Sequence, residues 1–266
     1  MNEITASIVS ISIIFLGTTL GCVSVFFLNK KALNDKAHAL VLGLASGIMM
    51  AASFFGLLLP AMEEAKASSI YQNISFIPVV FGFLIGCLFL YLIDKIVPHF
   101  HENSQTEEGL KTKELSRQTK FFLAVTIHNI PEGLAVGFAC ALALQYKSDT
   151  AIMSLLSLAI GITIQNIPEG AAVSIPYFEV GKTKFKSFLL GALTGIVEPI
   201  AAIIGLFVAS SMIFLLPWLL AFAGGMMMYV TIDELLPDSI FNDNGHIGIW
   251  SFTIGFVIMM TLEMVL

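Results

Sequence analysis

The sequence reads HNIPEG at residues 128–133 and QNIPEG at residues 165–170, inside two apolar stretches at residues 121–144 and 151–177. Five of the six positions are identical, and the copies begin 37 residues apart. Each stretch has the roughly 20 residues that an α-helix needs to cross the hydrocarbon core of a bilayer. Ionisable residues inside such a helix are costly and are functional candidates by default. The repeat therefore predicts two adjacent membrane-spanning helices that share a polar site.

The composition of the whole chain indicates the same environment. Charged residues make up 12% of the 266 residues and hydrophobic residues 57%, with a mean hydropathy of +0.89. Soluble domains have about 25% and 45–50%, so a water-soluble domain is excluded. We predict an all-α integral membrane protein, a bundle of eight transmembrane helices that forms one domain over residues 1–266. The predicted spans cover residues 4–28, 40–61, 76–97, 121–144, 151–177, 187–209, 213–236 and 247–266.

The basic residues predict the orientation in the membrane. Eleven of the 13 Lys and Arg residues fall in the first, third and fifth loops, and such residues concentrate on the cytoplasmic side. The polar stretch at residues 98–120 is then a cytoplasmic loop, and both termini lie outside. We expect a multi-pass protein of the cell membrane with the lipid bilayer as its surroundings. The net charge of −6 argues against nucleic acid as a partner.

Helical geometry places the polar residues of each motif on one face. Residues four apart point in the same direction, so His128 lies beside Glu132, and Gln165 beside Glu169. The two motifs sit at a similar depth in neighbouring helices that run in opposite directions, so their polar faces can meet. Asn129 and Asn166, the second residues of the two motifs, lie next to these polar faces.

Proline inside each motif predicts an irregular backbone. Pro131 and Pro168 lack an N–H and clash with the carbonyl four residues back. In hydrocarbon, a freed carbonyl is tolerated where it lines a cavity or finds a partner. We therefore expect kinked central helices around the polar site. Glu198 adds a third buried carboxylate, because it is the only charged residue between positions 187 and 232.

Three carboxylates in low dielectric need compensation. One divalent cation changes the charge of Glu132, Glu169 and Glu198 from −3 to −1, and two change it to +1. Imidazole, carboxylate and amide donors suit Zn²⁺, Fe²⁺, Mn²⁺ or Cd²⁺. We predict one or two such ions per protomer. The alternative is a polar network that only orients the helices.

The paired H-N-x-P-E-G and Q-N-x-P-E-G motifs, with eight spans and outward termini, resemble the ZIP (Zrt-, Irt-like protein) metal transporters, in particular their bacterial GufA-like branch. The resemblance implies that His128, Glu132, Gln165 and Glu169 hold the transported metal, with Met49 nearby. It also implies a second, adjacent site, uptake toward the cytoplasm and a homodimer. The residues that would complete the second site are Asn129, Asn166 and Glu198.

Ionisable residues near the helix ends are candidates for contacting the metal before it enters the central site or after it leaves. Glu63 and Glu263, at the outer ends of their spans, are candidates for a metal entrance, and ordinary solvated charges are the alternative. On the inner side, two pairs of residues are candidates for metal exit: Asp233 and Glu234, and His99 and His101.

The function predicted is transport of divalent transition metals, Zn²⁺ first, into the cytoplasm. The protein is not expected to be an enzyme. The rival is an intramembrane metal-dependent hydrolase, in which Glu132 or Glu169 activates a metal-bound water. The symmetric duplication of the motif weighs against this rival, since a hydrolytic base has a role of its own. A metal-sensing receptor is a third option, but the chain offers no extramembrane domain to carry a signal.

Overall fold

The computed structural model describes residues 1–27, 35–97, 99–100, 107–108, 117–240 and 245–266. Within these residues, eight helices are long and apolar enough to cross a membrane. The predicted all-helical class with eight spans is confirmed. In chain order we call these helices the first to eighth spans: Glu3–Phe27, Ala39–Ala67, Phe76–Ile96, Phe122–Tyr146, Asp149–Glu179, Lys184–Ser211, Ile213–Ile240 and Gly245–Val265.

Several spans consist of more than one helical segment. The α-helices are α1 Glu3–Phe27, α2 Asp35–Ala51, α3 Leu59–Ala67, α4 Phe76–Ile96, α5 Arg117–Tyr146, α6 Asp149–Glu179, α7 Lys184–Gly195, α8 Val197–Ser211, α9 Leu216–Val230, α10 Leu236–Ile240 and α11 Gly245–Val265. A 3₁₀ turn at Ile213–Leu215 precedes α9. Outside the spans, β1 (His99–Phe100) pairs with β2 (Glu107–Glu108) in antiparallel register.

The irregular backbone occurs in unexpected places. Helices α5 and α6 each continue through the proline of their motif, and the predicted kinks stay a prediction. Wider, π-helical turns occur instead in the second span, at Ala52–Leu58, and in the seventh, at Thr231–Leu235. Such turns are rare and often lie at functional sites. The one in the seventh span carries Glu234, a residue considered above for metal exit.

Glycine pairs hold the spans together. Among the described residues, four glycine pairs with a spacing of four residues lie against the main chain of another span. A Cβ atom at the second glycine of any pair would overlap a carbonyl oxygen of the facing helix. Such spacing lets helix backbones approach closely in a membrane. The pairs are Gly17 and Gly21 against the fifth span, Gly43 and Gly47 against the eighth, Gly82 and Gly86 against the seventh, and Gly133 and Gly137 against the sixth.

This pairing brings the two motifs into one bundle. The first span packs against the fifth and the fourth against the sixth, and the fourth and fifth spans also touch each other. Large apolar side chains cover the outer surface, as on the third span, where Phe81, Leu84 and Leu88 are about half exposed. An apolar outer surface is expected of a helix bundle in lipid, because lipid tails are as apolar as leucine.

The glycine contacts predict a sharp difference between two positions of the third span. We expect Gly86→Val to destabilise the protein by about 1–3 kcal/mol or more, because its side chain would meet the carbonyl of Phe222. Leu88→Val, on the exposed side of the same helix, should leave the melting temperature in detergent nearly unchanged. Equal melting temperatures for the two variants would contradict glycine-mediated packing.

Candidate metal centre

A cavity of about 60 Å³ lies between the second, fourth, fifth and seventh spans. It brings together residues that are far apart in the sequence, including both motifs. Apolar groups such as Leu42, Ala45 and Val230 form much of its wall. The side chains with ligand atoms in its lining are Met49, His128, Glu132, Gln165, Glu169, Glu234 and Asp238.

Most of these side chains are shielded from solvent. Glu132 has no exposed surface, and Met49, His128 and Gln165 are buried. Glu198 is also fully buried but does not line the cavity. The charges of Glu132, Glu169 and Glu198 are close enough to repel one another. The structure therefore concentrates negative charge where the surrounding dielectric is low.

Two polar contacts join spans across the cavity. The Gln165 amide nitrogen donates a hydrogen bond to Oε1 of Glu132, linking the fifth span to the fourth. His128 Nε2 lies 3.1 Å from Oε1 of Glu234. Because Glu234 belongs to the π-helical turn of the seventh span, that turn places a carboxylate directly against the histidine of the first motif.

A second polar cluster surrounds Glu198. Its Oε1 accepts hydrogen bonds from Thr18 Oγ1 at 2.6 Å and from Asn129 Nδ2 at 3.3 Å. Its Oε2 accepts one from Asn166 Nδ2 at 2.8 Å. The two amide nitrogens also donate to main-chain oxygens, those of Thr194 and Ile14 respectively. The cluster joins the first, fourth, fifth and sixth spans.

Thr18 was not identified from the sequence. The first span contains several hydroxyl residues, and Ser7, Ser12 and Thr19 bond to carbonyls of their own helix. The sequence contains no signal that separates Thr18 from them. Its contact depends on the close packing at Gly17, since that approach brings the first span beside the motif of the fifth.

Five buried oxygen atoms in the two motifs have no hydrogen-bond donor: Asn129 Oδ1, Glu132 Oε2, Gln165 Oε1, Asn166 Oδ1 and Glu169 Oε1. Buried polar atoms are nearly always paired, and leaving one without a partner is costly. All five are acceptors, so the partner they lack is a donor or a cation. Carboxylate and amide oxygens beside an imidazole and a thioether form a donor set suited to a divalent transition metal.

The amides also separate the charged ligands. Within the described residues, no group of three or more His, Cys, Asp and Glu side chains is arranged to hold a metal ion by itself. Instead, amide nitrogens donate hydrogen bonds to the carboxylates, from Gln165 to Glu132 and from Asn129 and Asn166 to Glu198. A metal centre here would therefore be of mixed composition, with amide oxygens among its ligands.

The residues considered for metal entrance and exit have different surroundings. Glu63 is exposed. Glu263 is partly buried, and its Oε1, which has no donor, lies close to Gly56. Asp233 is exposed, whereas Glu234 lines the cavity. The predictions for the His99 side chain and for His101 concern groups outside the described residues.

The unpaired oxygens predict opposite effects of one substitution on two measurements. We expect Glu169→Gln to raise the melting temperature without metal, because it removes a partly buried charge that repels Glu132. Saturating Zn²⁺ stabilises a binding protein by about 2.7 kcal/mol at 100 times the dissociation constant, and the variant should lose most of this gain. Melting curves with and without Zn²⁺ measure both.

The control for this prediction is Glu179→Gln, at the exposed end of the same helix. It should respond to Zn²⁺ like the unmodified protein. A Glu169→Gln protein that keeps the full Zn²⁺ stabilisation would show that this carboxylate does not contact the metal.

Comparison with known proteins identifies the family of the chain. The family model for the ZIP zinc transporters matches residues 4–121 and 112–263. The chain is 36% identical over 250 residues to the zinc transporter GufA of Myxococcus xanthus, covering 92% of this chain and 95% of the relative. It is 32% identical over 260 residues to the zinc transporter ZupT of Chlorobium chlorochromatii, covering 92% of each.

A human relative is similar over most of its length as well. The chain is 32% identical over 296 residues to the zinc transporter ZIP11 of Homo sapiens, covering 84% of this chain and 86% of the relative. Matches of this extent on both sides, together with a family model that spans nearly the whole chain, establish membership. The protein belongs to the ZIP family of transporters.

Proposed function

We propose that this protein transports divalent transition-metal ions, with Zn²⁺ as its main substrate, through the cavity between the two motifs. The observation that carries the proposal is the set of five buried oxygens without donors in and beside that cavity. Relatives named as zinc transporters support the same substrate class. The alternative function, a metal-dependent hydrolase, is not supported by membership of a transporter family.

His128, Glu132, Gln165 and Glu169 are the proposed ligands, with Met49 completing the wall of the cavity. One imidazole nitrogen, carboxylate oxygens and an amide oxygen suit Zn²⁺, and also Fe²⁺, Mn²⁺ and Cd²⁺. Glu132 retains one oxygen without a donor after accepting from Gln165, so it can bind a cation without breaking that contact. The same carboxylate lies beside Asn166, where a second ion would be bound.

The position of the cavity supports transport toward the cytoplasm. Its lining includes Leu42 and Val125, each three residues from the start of its span, and Asp238, near the end of the seventh. Lysine-rich loops precede the starts of the second and fourth spans, and the seventh span ends on the same side when the spans alternate in direction. With the orientation predicted from those lysines, the cavity extends from the motifs toward the cytoplasmic face. The proposal includes the cell membrane as the site of action and, from the family resemblance, a homodimer.

Glu234 is proposed to assist release. His128 Nε2 lies 3.1 Å from Oε1 of Glu234, and a protonated nitrogen in that ion pair has no free lone pair for a metal ion. Metal binding at this atom and the contact with Glu234 therefore exclude each other. Once the contact re-forms, the metal loses its imidazole ligand while a carboxylate lies nearby on the cytoplasmic side.

Flux of Zn²⁺ into proteoliposomes that contain a fluorescent chelator tests the transport proposal. The unmodified protein should accumulate Zn²⁺ inside the vesicles. Glu132→Ala and Glu169→Ala should each reduce the initial rate by at least about tenfold, since loss of a group that only supports a metal ligand already costs about that much. Glu179→Gln serves as the control. If the unmodified protein moves no divalent metal, or both alanine variants keep full flux, the proposal is wrong.

A pair of neighbouring carboxylates tests the release step. We expect Glu234→Gln to lower the maximum flux more than it changes the Zn²⁺ concentration for half-maximal flux, because it affects release rather than binding. Asp233→Asn, at the exposed neighbouring position, should have a much smaller effect. Equal losses in the two variants would indicate a general effect of charge at this end of the pore.

A further inference from the structure

An apolar cleft of about 490 Å³ lies between the first, second and fifth spans. Its lining on the first span extends from Leu20 to Phe27. Both of these residues are exposed, so the cleft opens on the lipid-facing surface of the bundle. Among the described lining residues, only Ser24 has a polar side chain. The volume is within the range of about 300–1,000 Å³ that is typical of small-molecule sites, and the lining suits a hydrocarbon chain.

A single layer of residues separates this cleft from the cavity between the two motifs. Leu42, Pro168 and Ala172 line both. Pro168 directly precedes Glu169, whose side chain lines the cavity on the other side of this wall. A molecule in the cleft would therefore contact the back of the wall that surrounds the proposed metal ligands.

Lys184 places a positive charge at one end of the cleft. Its Nζ donates a hydrogen bond to the Phe26 carbonyl at 2.9 Å, and Phe27, the next residue, belongs to the lining. The same nitrogen lies 5.5 Å from the centroid of the Phe178 ring, three residues beyond Ile175 of the lining. The ammonium group is thus held between the ends of the first and fifth spans. An ammonium group has three N–H donors, so donors remain for an oxygen anion.

The charge around this end of the cleft is mainly positive. Residues 179–186 contain three lysines, Lys182, Lys184 and Lys186, and one acidic residue, Glu179. Lysine-rich loops mark the cytoplasmic face. Basic pockets between transmembrane helices on that face bind the headgroups of anionic lipids. An apolar cleft that ends beside a fixed lysine has the two parts of a phospholipid site.

We propose that the cleft binds an acyl chain of an anionic phospholipid, whose phosphate contacts Lys184. At about 1.5 Å per residue, the lining from Leu20 to Phe27 is about 10 Å long. The acyl chain lies along it from the lysine-rich end toward the middle of the bilayer, and covers the shared wall from the lipid side. A zwitterionic phospholipid has the same chains and the same phosphate but no net charge, so the lysines favour the anionic lipid.

Native mass spectrometry tests the headgroup, with protein from micelles that contain equal amounts of phosphatidylglycerol and phosphatidylcholine. The unmodified protein should retain one phosphatidylglycerol per chain in preference to phosphatidylcholine. Lys184→Gln should reduce this preference by about fivefold, the contribution expected of one lysine beside an anionic lipid. The matched control is Lys66→Gln, which removes an exposed lysine at the far end of the second span and should keep the preference.

Filling the cleft tests the position of the acyl chain independently of the headgroup. Val23→Trp adds a large side chain to the lining and should abolish the retained lipid. Val9→Trp makes the same change at an exposed position of the same helix that does not line the cleft, and should retain the lipid.

Three results would each overturn the proposal. The first is retention of the two lipids in equal amounts by the unmodified protein, and the second is equal behaviour of the two variants in either matched pair. The third is a dimer that retains no lipid, which would assign the cleft to a second copy of the chain. No metal ion is present in these experiments, so their outcome does not depend on the proposed transport.

Discussion

Three mutually repelling carboxylates inside a lipid-facing bundle are the constraint on which the rest of the structure depends. Glu132 and Glu198 have no exposed surface, and a charge in such surroundings must be paired, hydrogen-bonded or bound to a cation. The chain meets this requirement in two ways. Amide and hydroxyl donors surround Glu198, while Glu132 and Glu169 retain free oxygens. The oxygens of Glu198 are thus hydrogen-bonded within a cluster, whereas the cavity retains carboxylate oxygens without a donor.

The glycine pairs make this concentration of charge possible. A polar site among helices requires the backbones to approach closely, since side chains as short as Asn and Thr must reach across. Gly17 allows the first span to lie against the fifth, and Gly133 brings the fourth against the sixth. The four spans that meet at Glu198 are therefore joined by main-chain contacts as well as by hydrogen bonds. Packing and polar chemistry support each other at the same depth.

Asparagine and glutamine have two functions in this site. An amide donates through its nitrogen and accepts through its oxygen. Gln165 can therefore stabilise the Glu132 carboxylate with a hydrogen bond and still offer an oxygen to a cation. Asn129 and Asn166 have the same two ends in the Glu198 cluster. A carboxylate at either position would add charge and lack the donor. The amides thus reduce the electrostatic cost of a site that must also exist without metal.

Much of the fold and the types of site residue could be predicted from the sequence. The eight spans follow from the length of the apolar runs, and the ligand types follow from the repeated motif, because both are local properties of the chain. The face shared by His128 and Glu132 follows from helical periodicity alone. The side of the membrane on which each loop lies is predicted from lysine positions.

Only the tertiary structure decided which partner each of these groups has. Contacts of Thr18 with Glu198 and of Glu234 with His128 join residues 180 and 106 positions apart, and no local pattern predicts them. In the sequence, Glu198 is a candidate ligand because it is a carboxylate inside an apolar span. In the fold, its oxygens accept hydrogen bonds from three donors on three helices. The reason is physical. Hydrophobicity and helical period are set by neighbours along the chain, whereas the satisfaction of a buried polar atom depends on the helices packed around it.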